Sequence, residues 1–129
     1  MSLETPNIML VEEDEILADL TSFRLELLGY RVDIRRNAEA ALDAIHQSPP
    51  DLIVLDLYLP GMDGVELINR LKMDEATAGI PIMAFSIESD LDVVTRAHAA
   101  GADDYLVTPY DPAVLQEKIA ALLGQAVAT

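Results

Sequence analysis

Short apolar runs of strand length, spaced along the whole chain, constrain this fold more than any other feature. Asn7 to Val11 reads Asn-Ile-Met-Leu-Val, and comparable runs stand at Leu52-Ile53-Val54-Leu55 and Ile80-Pro81-Ile82-Met83-Ala84-Phe85. Runs without polar alternation are what strands buried on both faces require. Arg31-Val32-Asp33-Ile34 and Tyr105-Leu106-Val107 are shorter candidates, each preceded by a glycine-containing turn. Between the runs, apolar residues recur at helical spacing: Ile16-Leu17, Leu20, Phe23 and Leu27-Leu28; then Ala38, Ala41-Leu42 and Ile45; then Val65, Leu67-Ile68 and Leu71. Two later helical segments, around Leu91 to Ala97 and Val114 to Leu123, precede Gly101 and Gly124, each suited to a left-handed cap. Asp111-Pro112 opens the last of them as N-cap and first-turn proline. Strand and helix therefore alternate about five times, which predicts right-handed crossovers and a doubly wound α/β fold with a five-stranded parallel sheet.

The length of 129 residues fits one domain, read here as residues 1–129, and 51% hydrophobic content is enough for a core. No run approaches the roughly 18 apolar residues of a membrane span, and the first residues lack the basic and apolar regions of a secretory signal. A soluble, cytoplasmic protein is expected. The absence of cysteine excludes disulfides, thiolate metal sites and a Cys nucleophile. A formal charge of −15 opposes direct nucleic-acid binding, because phosphate neutralisation needs clustered Lys or Arg.

In doubly wound sheets, ligands bind beyond the carboxyl ends of the strands. Glu12, Glu13, Asp14 and Glu15 follow the first strand, Asp56 the third, Ser86 the fourth and Thr108-Pro109 the fifth, so carboxylates converge on one edge. Like charges in one cleft raise one another's pKa unless a hard cation such as Mg²⁺ takes them as oxygen ligands. The same acids also suit the start of the first helix, a role that fits Asp14 and Glu15 well. Asp56 is followed by the tight turn Leu57-Tyr58-Leu59-Pro60-Gly61-Met62-Asp63-Gly64, a setting in which a carboxylate can serve as a nucleophile towards phosphorus. An FMN carrier on this architecture is disfavoured, since carboxylates stand where the flavin phosphate would sit.

Several segments together resemble the receiver domain of bacterial two-component response regulators over nearly the whole chain. They are Val11-Glu12-Glu13-Asp14, the stretch from Asp51 through Asp56 to Gly64, Ile80-Pro81 leading to Ser86, and Gly101-Ala-Asp-Asp-Tyr105-Leu-Val-Thr-Pro109. The resemblance implies a flavodoxin-like (β/α)5 fold and a signal carrier rather than an enzyme. It implies that Asp56 accepts a phosphoryl group from a histidine kinase or phosphotransfer protein. Glu12, Glu13, Asp56 and the carbonyl of Tyr58 would hold Mg²⁺, Ser86 would contact the phosphoryl group, and Tyr105 would be the switch aromatic. The face made by the fourth helix, fifth strand and fifth helix would carry effector contact or homodimerisation; a half-buried packing role for Tyr105 stays open.

Three positions depart from that pattern. Thr108 stands where the family usually has Lys, replacing a point charge with a neutral hydroxyl whose hydrogen bond is about half as strong. Glu13 stands where Asp is usual, one methylene longer than octahedral Mg²⁺ coordination is accustomed to. Ile87 follows Ser86 where a small residue is commoner, which would narrow access to Asp56. Two functions follow: a phosphoacceptor with a weakened switch, or an atypical receiver acting as a phosphorylation-independent interaction module.

Overall fold

The computed structural model describes residues 5–87 and 90–124. The chain runs β1 (Asn7–Val11), α1 (Glu15–Leu27), β2 (Arg31–Arg35), α2 (Ala38–Gln47), β3 (Leu52–Asp56), α3 (Gly64–Met73), β4 (Ile82–Ile87), α4 (Leu91–Ala100), β5 (Asp104–Thr108) and α5 (Pro112–Leu122). All pairings are parallel and the strand order is β2-β1-β3-β4-β5. This is the expected flavodoxin-like, doubly wound sheet, with β1 and β3 central and fully apolar along their lengths apart from their ends.

Acidic residues begin the helices. Asp14, Asp63, Asp90 and Asp111, with Asn37 on α2, are N-caps whose side chains accept a backbone N–H from the first turn. Each such cap stabilises its helix by about 1 kcal/mol. Four of the 23 acidic residues thus stand where the backbone leaves donors unpaired. Gly101 ends α4 at φ +116°, as the left-handed cap expected there.

Two apolar layers flank the sheet. One joins Ile53, Leu55 and Ile82 to Leu67, Ile68 and Leu71 of α3, Ile45 of α2 and Ala97 of α4. The other joins Ile8, Leu10, Val54 and Phe85 to Leu25 of α1 and Leu115 and Ile119 of α5.

The apolar run from Ile80 predicts a fourth strand that starts there, but the strand begins at Ile82 and continues through Ser86 and Ile87. Pro81 has no N–H for a ladder, although its carbonyl still accepts from Ile53 N–H at 3.0 Å. The large apolar residues that recur at helical spacing along α1, Ile16, Leu17, Leu20, Phe23 and Leu27, are exposed. Its buried face is Ala18, Thr21, Ser22 and Leu25. Apart from Leu25 that face is made of small residues, while Ile16, Phe23 and Leu27 turn outward.

Candidate functional site

The predicted residues do meet at the carboxyl edge of the sheet, but as strand ends rather than as loop residues. Asp56 is the last residue of β3, opposite Phe85 in the ladder, and Thr108 is the last of β5, opposite Ile87. Ser86 lies one residue before the end of β4. Asp56 is half-buried within the sheet edge rather than presented freely on a loop. Its Oδ1 accepts from Tyr58 N–H at 3.1 Å, so the turn that follows wraps back over it.

That turn depends on Gly64. A Cβ at this position would lie 2.6 Å from both the carbonyl oxygen of Asp56 and Cα of Leu57. The first turn of α3 therefore presses directly on the backbone that carries Asp56, and glycine is required by close approach.

Glu12 leaves β1 beside Asp56 and is only 5% exposed. Its backbone N–H donates to Arg35 carbonyl at 3.0 Å, continuing the β1–β2 ladder one step. The Glu12 and Asp56 carboxyls are in hydrogen-bonding contact. Burial, then the negative charge of Asp56, push the Glu12 carboxyl up to about 7. Burial also raises Asp56, opposed by the Tyr58 N–H and by the contact with Glu12. Glu13 is exposed, and its charge further raises Asp56.

Among the described residues, no group of three or more His, Cys, Asp or Glu is disposed to hold a metal on its own. Mg²⁺ is commonly bound by one or two carboxylates together with phosphate oxygens and water. The buried Glu12–Asp56 pair, a site of uncompensated negative charge, fits that mode better than an all-protein cage.

The other predicted residues are placed as follows. Ser86 is fully buried and, among the described residues, its Oγ has no hydrogen-bond partner. The Thr108 hydroxyl donates to Ser86 carbonyl at 3.2 Å, so it ties β5 to β4. The Thr108–Pro109 peptide bond is cis. Ile87, the last residue of β4, is half exposed. Tyr105 is half exposed on β5, with Lys118 Nζ 5.7 Å from its ring centre.

Two site features were not anticipated. Tyr58 was expected to matter only through its carbonyl, but its hydroxyl donates to Asp90 Oδ2 at 2.9 Å and accepts from Ile87 N–H at 3.3 Å. The ring thus straps the loop after β3 to the start of α4. Arg36 Nε donates to Glu13 carbonyl at 2.8 Å, and a second guanidinium nitrogen reaches the same oxygen. Both contacts link residues far apart in sequence through single side chains, which no local pattern reveals.

Residues 8–120 match the family model described as the response regulator receiver domain. The chain is 36% identical over 124 residues to the DNA-binding dual master transcriptional regulator RpaA of Synechocystis sp., covering 92% of this chain and 49% of that protein. It is 35% identical over 121 residues to the phosphate regulon transcriptional regulatory protein PhoB of Rhizobium meliloti, covering 94% and 53% respectively. The chain spans about half the length of these curated relatives. A solved putative response regulator from Chloroflexus aurantiacus superposes with a TM-score of 0.91 at 29% identity, covering 95% of this chain and 100% of that one. The receiver domain of a sensor histidine kinase from Pseudomonas aeruginosa PAO1, solved with a magnesium ion in its active-site cleft, superposes at 0.87 with 26% identity, covering 95% and 100%. The chain belongs to the receiver domain family of two-component response regulators.

Proposed function

We propose that residues 1–129 form one receiver domain whose Asp56 accepts a phosphoryl group from a histidine kinase or histidine phosphotransfer protein. The observation that carries this reading is Asp56 itself: a half-buried carboxylate at the end of a central strand, held by Tyr58 N–H and set against a second buried carboxyl. In the transfer, a carboxylate oxygen of Asp56 attacks phosphorus, the bond from phosphorus to the donor imidazole breaks, and an acyl phosphate forms. The domain carries the signal stoichiometrically and is not an enzyme.

Glu12, Glu13, Asp56 and the Tyr58 carbonyl would hold Mg²⁺, which offsets the charge of the carboxylates and the transferring group. Ser86 Oγ, buried and without a partner among the described residues, suits a hydrogen bond to a phosphoryl oxygen. Thr108, already engaged with the Ser86 carbonyl, would act by holding β4 and β5 together. Tyr105 would report the modification to the α4–β5–α5 face, where an effector or a second copy binds.

The donor would dock on α1, whose exposed Ile16, Leu20, Phe23 and Leu27 form an apolar stripe next to the site. Net charge disfavours direct contact with nucleic acid. Among the described residues no helix is long and apolar enough to cross a membrane, and a cytoplasmic location suits a partner of histidine kinases. A phosphorylation-independent module is the weaker reading, because it leaves the geometry around Asp56 and Ser86 without a use.

Incubating the chain with Mg²⁺ and acetyl phosphate, followed by intact mass and backbone NMR, tests the assignment. A phosphoryl adduct absent from Asp56→Ala is expected; an unmodified protein at every Mg²⁺ concentration, with the small donor and with a histidine kinase, overturns it.

A further inference from the structure

The loop between β1 and α1 carries two of the proposed Mg²⁺ ligands, Glu12 and Glu13, and its residues are fastened in different ways. At Glu12 the backbone N–H donates to Arg35 carbonyl at 3.0 Å, and the carboxylate turns back to accept Asp14 N–H at 3.2 Å. Asp14 is fixed in turn, its Oδ1 accepting Leu17 N–H and its carbonyl accepting Ala18 N–H in the first turn of α1. Between these anchored residues stands Glu13, exposed, with one more side-chain torsion than Asp to immobilise when it takes a metal. Its own fastening comes from another loop: Arg36 Nε donates to Glu13 carbonyl at 2.8 Å, and a second guanidinium nitrogen shares that oxygen.

The base of the Arg36 side chain is itself held on both sides. Arg35 before it ends β2, in register with Val11, and Asn37 after it caps α2, its Oδ1 accepting Ala40 N–H at 2.8 Å. The guanidinium lies in an open cleft that Glu13, Asp14 and Glu15 also line. Among the described residues it forms no ion pair with any of these carboxylates, and two of its donors go to a carbonyl instead. A cation paired with the Glu13 carboxylate would have to be displaced before Mg²⁺ could bind there. One held on the carbonyl leaves the carboxylate oxygens free. The neighbouring guanidinium of Arg35 is committed to Asp33 and Ile34 carbonyl.

We propose that Arg36 is a positioning residue for the metal: its forked hold on the Glu13 carbonyl fixes the β1–α1 loop where Glu13 can reach the ion. Mg²⁺ demands near-ideal octahedral geometry, whereas Ca²⁺ accepts a flexible shell, so a loosened loop disfavours Mg²⁺ far more than Ca²⁺. Groups that orient metal ligands from behind change affinity by roughly 10- to 100-fold. A lysine at this position keeps the charge but replaces a rigid fork with a compact ammonium. That substitution separates geometry from electrostatics, because losing a nearby positive charge by itself would tighten cation binding. The assignment rests on Glu12, Glu13 and Asp56 being the Mg²⁺ ligands.

Titrations of the full chain with Mg²⁺ and with Ca²⁺, followed by amide NMR at Glu13, Asp14 and Asp56, test this with Arg36→Lys and Arg36→Gln beside the unaltered protein. Arg36→Lys should weaken Mg²⁺ binding by about tenfold and Ca²⁺ binding by no more than about twofold, with the urea midpoint unchanged. Without metal, the same variant should lower the amide order parameters of Glu13 and Asp14 while those of Leu17 and Ala40 stay constant. Arg36→Gln, which removes the charge, should still weaken Mg²⁺ by at least about threefold. Tighter Mg²⁺ binding by Arg36→Gln overturns the proposal, because the guanidinium would then act only by repelling cations. Equal losses for the two metals in Arg36→Lys, or no loss, overturn it as well. An unaltered chain that binds no Mg²⁺ removes the metal reading and this proposal together, whereas normal binding that ignores Arg36→Lys removes this proposal alone.

Discussion

The helices on the two sides of the sheet use hydrophobic residues in opposite ways. On α3, the large residues Leu67, Ile68 and Leu71 are fully buried against β3 and β4, and the helix closes its layer. On α1, the contact with the sheet is made by Ala18, Thr21, Ser22 and Leu25, while Phe23 and Leu27 are 59% and 70% exposed. Apolar content alone therefore does not say which face is the core. One helix uses its large side chains to hold the fold together, and the other keeps them on the surface beside the reactive carboxylates.

The largest effect expected from this contrast is on stability. Leu71→Ala should cost about 3 kcal/mol of unfolding free energy in urea melts, the usual loss for emptying a packed leucine site. Phe23→Ala, despite removing more atoms, should stay within about 0.5 kcal/mol. Equal losses would mean that α1 is a core helix after all. Phosphotransfer should reverse that ranking. Phe23→Ala should slow transfer from a histidine phosphotransfer protein by roughly 30-fold, corresponding to a docking hot spot of about 2 kcal/mol. Leu71→Ala, assayed where it remains folded, should not.

The next effect is pH dependence at the acidic end of the α1 layer. Native Glu12 keeps its proton to about pH 7, whereas the unfolded side chain releases it near 4.5. Between those values the folded state binds more protons, so stability should fall as pH rises through this window. Glu12→Gln should flatten the decline and gain about 1 to 2 kcal/mol at pH 8, measured by chemical denaturation. Mg²⁺ added to the unaltered protein should flatten it as well, by binding the native pair of carboxylates. The smallest effect belongs to the α3–α4 side: Tyr58→Phe removes the hydroxyl bonds to Asp90 and Ile87 and should cost about 1 kcal/mol, with amide NMR shifts concentrated at Ile87 and Val93.

The fold was legible because parallel strands announce themselves. Runs such as Leu52 to Leu55 lack alternation, and Asp111-Pro112 and Gly101 mark helix ends by backbone chemistry that sequence carries locally. The positions of Glu12, Asp56, Ser86 and Thr108 at one edge followed from the same logic. The choice of buried face on α1 did not, because its periodicity suits both a buried and a displayed stripe, and only the small residues Ala18 and Ser22 hint at the packed side. The Tyr58 strap and the Arg36 contact were invisible for a different reason. Each is a single long side chain crossing between loops, and its reach is fixed by tertiary geometry.

One carboxylate described above does two jobs. Asp90 Oδ1 accepts from Val93 N–H and caps α4, while its Oδ2 accepts the hydroxyl of Tyr58, whose own N–H holds Asp56. The route from the reactive oxygen to the first turn of α4 is therefore one backbone amide, one aromatic ring and one capping group long. A change of charge on Asp56 would alter what that amide donates to, at one end of a three-part link whose other end is the helix start. In mechanical terms Tyr58 is a short pushrod, and α4 begins at its far end.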